Sequence, residues 1–244
     1  MLIDEKGKRY LAKLEGEMTE VSGLGTIRTE LLKNSLRTGV FSLGGRNIKV
    51  RTASVDDMIS AITRKAQMLT SKDIAMIIHH CDIKSGSVVV EGGVGSGALT
   101  ISLLSRVGKE GKVITYEIRD DFASIAKHNV ALASLTDCWT LKIGDIRNRI
   151  DEEGVDSIVV DIPVPWECVP SAEKALRIGG FFSAFVPNVN QMEKTVQELR
   201  NYKFEDVRAI ETLQREMIVH EGGVRPSFDM LGHTGYLIFA RRSP

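Results

Sequence analysis

The 244-residue chain has little cysteine. Its three, Cys81, Cys138 and Cys168, show no Cys-x-x-Cys spacing. An odd count excludes a complete disulfide framework, and the spacing supplies no zinc motif, so the thiols read as reduced and the protein as cytoplasmic. Histidine is also scarce, at five residues, and His79, His80 and His220 have no partner spacing for a metal. No metal is expected. Neither sign of charge is in excess, with 32 Lys and Arg against 32 Asp and Glu. That excludes a global basic field of the kind that announces nucleic acid. No apolar run approaches the length of a membrane span. The opening Met1-Leu2-Ile3-Asp4-Glu5-Lys6 lacks the apolar stretch of a signal peptide. Internal repeats and low-complexity segments are missing too. What remains is a chain long enough for one large or two smaller domains with a real core.

The charge is unevenly spread. Residues 1–65 hold 12 basic and 8 acidic groups, and the rest of the chain carries the opposite imbalance. The first fifty residues are rich in Gly and Thr. Segments 9–14 and 46–51 alternate apolar with polar residues as strands do, with glycines 23, 25, 39, 44 and 45 at turns. A small β-rich domain over residues 1–55 is predicted. Ser54 followed by Asp57 resembles a capping box and predicts a linker helix, with Thr70 or Ser71 capping a second within residues 56–86.

From residue 87 the pattern alternates strand and helix. Strands are predicted at 87–91, 112–117, 139–143, 155–161 and 181–186, and helices at about 98–107, 121–134, 168–178 and 189–200. Gly179-Gly180 reads as the stop of the helix over 168–178. Residues 204–213, 215–220 and 235–241 read as strands without full helices between them, an antiparallel edge. The expected fold over 87–244 is α/β, a Rossmann-like parallel sheet with helices on both faces and an antiparallel C-terminal strand.

The candidate site begins where the strand Val88-Val89-Val90-Glu91 runs into Gly93-Val94-Gly95-Ser96-Gly97-Ala98. Glycines at a strand-to-helix turn let the backbone pass close under a ligand. Two cofactor classes fit this turn, a dinucleotide or S-adenosylmethionine. Glu117 ends the second strand, where a carboxylate can accept from both ribose hydroxyls, and both cofactor classes use such an acid. Asp145, with apolar Ile146 beside it, ends the third and can accept from an adenine amine. Asp161 ends the fourth and enters Ile162-Pro163-Val164-Pro165-Trp166, a loop stiffened by two prolines. An acid and a Trp on a rigid loop fit a pocket for a flat base.

Four stretches, EGGVGSGALT (91–100), DIPVPW (161–166), FVPNVNQ (185–191) and Arg225-Pro226 with HTGYL (233–237), carry a resemblance. They resemble class I S-adenosylmethionine-dependent methyltransferases, and more narrowly the archaeal and bacterial tRNA (adenine-N1)-methyltransferases that modify the T-loop. Arg64-Lys65-Ala66-Gln67 and Lys72-Asp73 are similar to the family's segment ahead of the cofactor loop. The likeness spans roughly residues 60–242. Three positions depart from it: Thr70 and Phe185 stand where the family commonly has Tyr, and Val164 where it has an acidic or polar residue.

The resemblance implies methyl transfer to N1 of one or two adjacent T-loop adenines in tRNA. It implies S-adenosylmethionine as cofactor, held by Glu91, Gly93, Val94, Gly95, Ser96, Gly97, Ala98, Glu117, Asp145, Ile146 and Asp161. It further implies a homotetramer, with Gln67, Trp166, Arg225, His233 and Tyr236 toward the substrate. Asp161 is the expected catalytic residue, accepting from the adenine 6-amino group as charge develops on the ring. Arg46, Lys49, Arg51, Arg64, Lys65 and Arg225 are candidate phosphate contacts. His233 and Tyr236 stand either beside the base or as a lock on the last strands. The alternatives are a methyltransferase acting on a protein carboxyl or a small molecule, and a non-catalytic RNA-binding subunit of the same fold. A nicotinamide oxidoreductase would need a second constellation such as Tyr-x-x-x-Lys, which none of the four tyrosines forms.

Overall fold

The computed structural model of the protein describes residues 1–65 and 67–244. Ala66, within the Arg64–Gln67 segment quoted above, lies outside the described residues. The first fifty residues form β1 (Leu2–Ile3), β2 (Arg9–Tyr10), β3 (Met18–Val21), β4 (Gly25–Arg28), α1 (Thr29–Thr38), β5 (Val40–Leu43) and β6 (Arg46–Val50). An antiparallel sheet of order β2-β1-β6-β5 and a separate β3-β4 hairpin surround a small core that includes Leu2, Val21, Leu32, Phe41 and Ile48. Two expectations change here. The strand predicted over 9–14 is only two residues long. Helix α1 was not foreseen, because it buries only Thr29 and Leu32 and leaves Leu31 and Leu36 exposed. Leu32 and Leu36 do stand at helical spacing, but three leucines in ten residues amid glycine-rich turns are a weak signal.

Two linker helices follow, α2 (Val55–Ala61) and α3 (Ser71–His80). The capping box at Ser54 forms: its hydroxyl accepts from the Asp57 amide, and the Asp57 carboxylate accepts from the Ser54 amide, both at 3.1 Å. Asp57 is buried and also accepts from Arg51 at 2.6 Å and Arg9 at 3.2 Å. One carboxylate therefore caps α2 and ties the N-terminal sheet to it. Thr70 occupies the cap position of α3, but its hydroxyl donates to Asp73 instead.

The remainder of the chain runs β7 (Val88–Gly92), α4 (Ala98–Val107), β8 (Lys112–Glu117), α5 (Asp120–Leu132), β9 (Trp139–Ile143), β10 (Val155–Val160) and α6 (Val169–Ala175). It continues through β11 (Leu176–Val186), α7 (Val189–Asn201), β12 (Phe204–Glu211), β13 (Met217–His220), β14 (Gly223–Pro226) and β15 (Tyr236–Arg242). Seven strands make one sheet of order β12-β15-β11-β10-β7-β8-β9. Strands β7 to β11 pair in parallel, and β15 is antiparallel to both β11 and β12. Central strands covered on both faces have continuous apolar runs, as the fully buried Val89, Val90, Ile158 and Val160 illustrate. Leu99, Ile101 and Leu103 of α4 pack one face with Ile74 and Ile77 of α3. Val169, Ala172 and Leu199 pack the other with Phe182 and Ile238.

The helix over 168–178 does not end at Gly179-Gly180. It ends at Ala175, and both glycines lie inside β11. There the register against β10 jumps from Val155↔Leu176 to Ser157↔Phe181, which makes a bulge. A Cβ on Gly180 would meet the Asp156 carbonyl at 3.0 Å, so the bulge requires close backbone approach. The strand predicted at 215–220 does not join the sheet. It pairs with β14 as an isolated hairpin that exposes Val219 and Val224.

If Asp57 is the tie between the N-terminal sheet and α2, Asp57→Ala should lower stability by about 2–3 kcal/mol. It loses a cap and leaves two arginines without their carboxylate, a loss discounted because both arginines are partly exposed. Urea denaturation measures this, and a loss below about 0.5 kcal/mol, the range of an ordinary surface change, would remove Asp57 from that role. Its partners hold the carboxyl below the usual carboxylate range. This contribution is therefore present above the unfolded-state value and fades as acid protonates the folded group.

Candidate active site

Strand order reverses between β7 and β10, and open α/β sheets bind ligands at the carboxyl ends of strands at such a point. A cleft of about 630 Å³ lies there, lined by residues that follow β7, β8, β9, β10 and β11. The turn after β7 holds Gly93, Gly95 and Gly97 at φ of 86°, 51° and 88°. A Cβ on Gly93 would sit 2.4 Å from the Asp161 carbonyl, whereas Gly95 faces open space. Gly97 precedes α4, and Ala98 is its first residue. Ser96 is buried. Its hydroxyl accepts from the Lys65 amide at 3.1 Å and its carbonyl accepts from Asn129 at 2.8 Å. Asn129 also pairs with the Thr63 backbone in both directions, so the linker is pinned across the glycine turn.

Four acids converge on this end of the sheet. Glu91 is fully buried. Its Oε2 accepts from Thr100 and Thr115 at 2.7 and 2.6 Å, and its Oε1 has no partner among the described residues. Burial pushes this carboxyl up to about 8, and the nearby charges of Asp161 and Glu117 add to the effect. Glu117 accepts from the Val94 and Arg119 amides at 3.0 and 2.9 Å, which fixes its carboxylate at the cleft wall.

Asp145 is gripped by Arg147, whose Nη2 donates at 2.6 Å and whose Nε reaches both oxygens. This ion pair holds the carboxyl below its ordinary range. Asp161 also lines the cleft, and no donor among the described residues reaches its carboxylate. Burial alone raises it to about 6. Ile146, Ile162, Pro163 and Val164 supply apolar wall.

The other expected site residues are spread more widely. Gln67 lines the cleft, as do Phe185, Pro187 and Gln191. Gln191 donates to the Pro163 carbonyl at 2.8 Å and so braces the proline loop. Trp166 is not among the lining residues; it sits in a short helical turn with the Lys194 ammonium 5.2 Å from its ring centroid. Arg225 is in the exposed β13–β14 hairpin, stacked on Phe228. His233 and Tyr236 are not among the lining residues; their rings pack together with centroids 5.0 Å apart. His233 bonds the Glu211 carboxylate and the Pro187 carbonyl. Gly235 is where a Cβ would strike the Phe185 ring, at 2.3 Å, so the tail glycine seats that ring.

Sequence reasoning missed Arg147, Arg119, Phe122 and Gln191. Arg147 had a readable signal, an arginine two residues after the strand-end acid. Arg119 stacks on Phe122, with its guanidinium carbon 4.1 Å from the ring centroid, and nothing in spacing marks that contact. No group of His, Cys, Asp and Glu that could hold a metal occurs among the described residues. The arrangement can hold a cationic nucleoside: acids outnumber cations, and an orphaned carboxyl oxygen lies buried beneath the turn.

Residues 58–224 match the family model described as tRNA methyltransferase complex GCD14 subunit. A relative from Methanocaldococcus jannaschii, a tRNA (adenine(57)-N(1)/adenine(58)-N(1))-methyltransferase, is 37% identical, with 100% of this chain and 95% of that protein covered. A tRNA (adenine(58)-N(1))-methyltransferase of Thermus thermophilus is 28% identical, over 99% and 96%. Among solved structures, an S-adenosylmethionine-dependent O-methyltransferase of Thermotoga maritima superposes at a TM-score of 0.82 with 30% identity, covering 100% and 92%. A tRNA (m1A58) methyltransferase of Aquifex aeolicus superposes at 0.77 with 24% identity, covering 98% of each chain, and bears on the fold alone. By the family match and the 37% identity over its whole length, the chain belongs to the tRNA methyltransferase complex GCD14 subunit family.

Proposed function

We propose that the protein transfers the methyl group of S-adenosylmethionine to N1 of a T-loop adenine in tRNA. The observation that carries this reading is Asp161, a carboxylate at the cleft wall with no donor of its own among the described residues. Family membership and the named activity of the M. jannaschii relative support it.

S-adenosylmethionine supplies an activated methyl on a sulfonium, so the protein's own work is placement. Gly93, Val94, Gly95, Ser96, Gly97 and Ala98 form the turn that passes under it. Glu117 takes its ribose hydroxyls and Asp145 and Ile146 its adenine, while Glu91, its carboxyl raised by burial, braces the turn from below through Thr100 and Thr115. Alignment of the target nitrogen with the methyl carbon supplies several kcal/mol, with about 7–11 as the ceiling. The T-loop adenine must leave its stack, at a cost of a few kcal/mol, to reach the cleft. Asp161 then accepts from the 6-amino group. That bond strengthens as positive charge spreads over N1, C6 and N6, which is differential stabilisation of the transition state.

Gln67 and the apolar wall contact the base, with Trp166 and Tyr236 supporting from behind. The N-terminal sheet, residues 1–55, contributes Arg46, Lys49 and Arg51 to the RNA backbone, and Arg64, Lys65 and Arg225 extend that path. The exposed apolar hairpin β13–β14 fits self-association, consistent with a homotetramer, and the assembly works in the cytoplasm. None of the described helices is long and apolar enough to cross a membrane. A methyltransferase with another acceptor is the second reading, favoured by the name of the T. maritima structure.

Nucleoside mass spectrometry of unmodified tRNA, incubated with the protein and S-adenosylmethionine, tests the proposal. New N1-methyladenosine, lost when the T-loop adenine is replaced, is expected. Cofactor binding with no methylated nucleoside would move the acceptor elsewhere.

Asp161→Asn should lower kcat at least about a hundredfold, as removal of a transition-state partner does, while calorimetry finds cofactor affinity little changed. Unaltered turnover would sink the assignment. Because only the ionised Asp161 offers a charge-assisted bond to the developing cation, kcat/KM for tRNA should rise with pH through about 6, and this limb should vanish in the Asn variant. Glu117→Ala should weaken cofactor binding about ten- to a hundredfold, the loss of hydrogen bonds to a charged acceptor. Equal affinity in calorimetry would place the ribose elsewhere.

A further inference from the structure

The segment between β12 and β15 leaves the sheet at Thr212 and returns at Thr234, carrying the β13–β14 hairpin between them. Both ends are tied to one buried node. The Lys72 ammonium donates to Asp73 at 2.7 Å, to Thr212 at 2.9 Å and to Thr234 at 2.7 Å. Asp73 is fully buried and also accepts from the Thr212 and Thr70 hydroxyls. The base of the excursion is therefore fixed in place. A second rung lies beside it. His233 Nδ1 is 2.6 Å from Glu211, and Nε2 is 2.9 Å from the Pro187 carbonyl. Both partners are acceptors, so the ring donates from both nitrogens only as an imidazolium. Pro187 lines the cleft just after Phe185, and Gln191, further along, braces the proline loop that carries Asp161.

We infer that His233 is a positioning residue for methyl transfer: its imidazolium holds the Pro187 turn, and so the target-base wall, against the fixed base of the hairpin. The inference rests on the proposed tRNA methylation and adds to it a residue that acts through Pro187. The charged and titratable groups facing the ring are Glu211 on β12, Lys72 on α3, itself paired to Asp73, and Tyr236 on β15. The hydrogen bond to Glu211 raises the imidazole above its ordinary value, with the Pro187 carbonyl adding and Lys72 opposing. The brace is therefore complete at low pH and is lost as pH rises through that raised value. This limb is opposite in direction to the one expected from Asp161.

The test follows imidazole protonation by nitrogen NMR and measures kcat/KM for unmodified tRNA against pH, in the full-length protein. The wild type should lose about three- to fivefold in kcat/KM as His233 deprotonates, the scale of a partly exposed charged pair. His233→Gln should show that loss at every pH, with no falling limb and with unchanged cofactor affinity by calorimetry. His233→Arg, a cation with several donors at all pH, should recover the rate lost in the Gln variant. Glu211→Gln leaves the ring in place and should move the limb to lower pH, so the inference stays testable if His233→Gln does not fold. A Gln variant with the wild-type rate and profile, or a ring that titrates without any change in rate, would overturn the inference. A wild type that methylates no tRNA would remove the functional reading itself, and this inference with it, whatever the variants do.

Discussion

The cleft depends on the close approach of two strand ends. The amide of Asp161 donates to the Gly92 carbonyl at 2.8 Å, and the amide of Gly93 donates to the Tyr116 carbonyl at 2.9 Å. These bonds extend the ladder beyond β7 and β10 and bring the glycine turn against the loop that carries Asp161. Only a residue without a Cβ fits at Gly93. Spacing between the glycine turn and the loop that carries Asp161 is thus set by backbone contact, which tolerates far less displacement than a side-chain contact would.

Electrostatics completes what the backbone begins. Glu91, Glu117, Asp145 and Asp161 differ mainly in their partners. Among the described residues, Asp145 has an arginine and Glu117 two amides, while Glu91 keeps one oxygen unpaired and Asp161 keeps both. The two without full partners are the two that burial raises. Burial disfavours the ionised form of both, so a positive charge brought to this end of the sheet would favour their ionisation.

Much of this was legible in the chain. The alternation after residue 87 and the acids at strand ends are short-range signals, and the structure places Glu117, Asp145 and Asp161 around one cleft as their positions implied. Ser54 announced its cap because the partner lies three residues away. What could not be read depends on distant contacts. The Trp166 ring faces Lys194 rather than the cleft, and nothing in the proline loop itself says which way the ring turns. Gly179-Gly180 looked like a helix stop because a bulge and a stop use the same residue, and only the pairing of β10 with β11 separates them. Helix α1 escaped because its stripe is only Leu31, Leu32 and Leu36, set between glycine-rich segments that read as strands and turns. The Lys72–Asp73 node joins residues some 140 to 160 positions apart, a distance no local pattern reports.

That node also divides the protein into parts that can change separately. The entropy of closing a loop grows only with the logarithm of its length once the ends are held. With Thr212 and Thr234 held by a half-buried ammonium and a buried carboxylate, the hairpin between them can lengthen, shorten or be recast without moving β12 or β15. Evolution can therefore alter what the hairpin meets while leaving the chemistry of the cleft untouched.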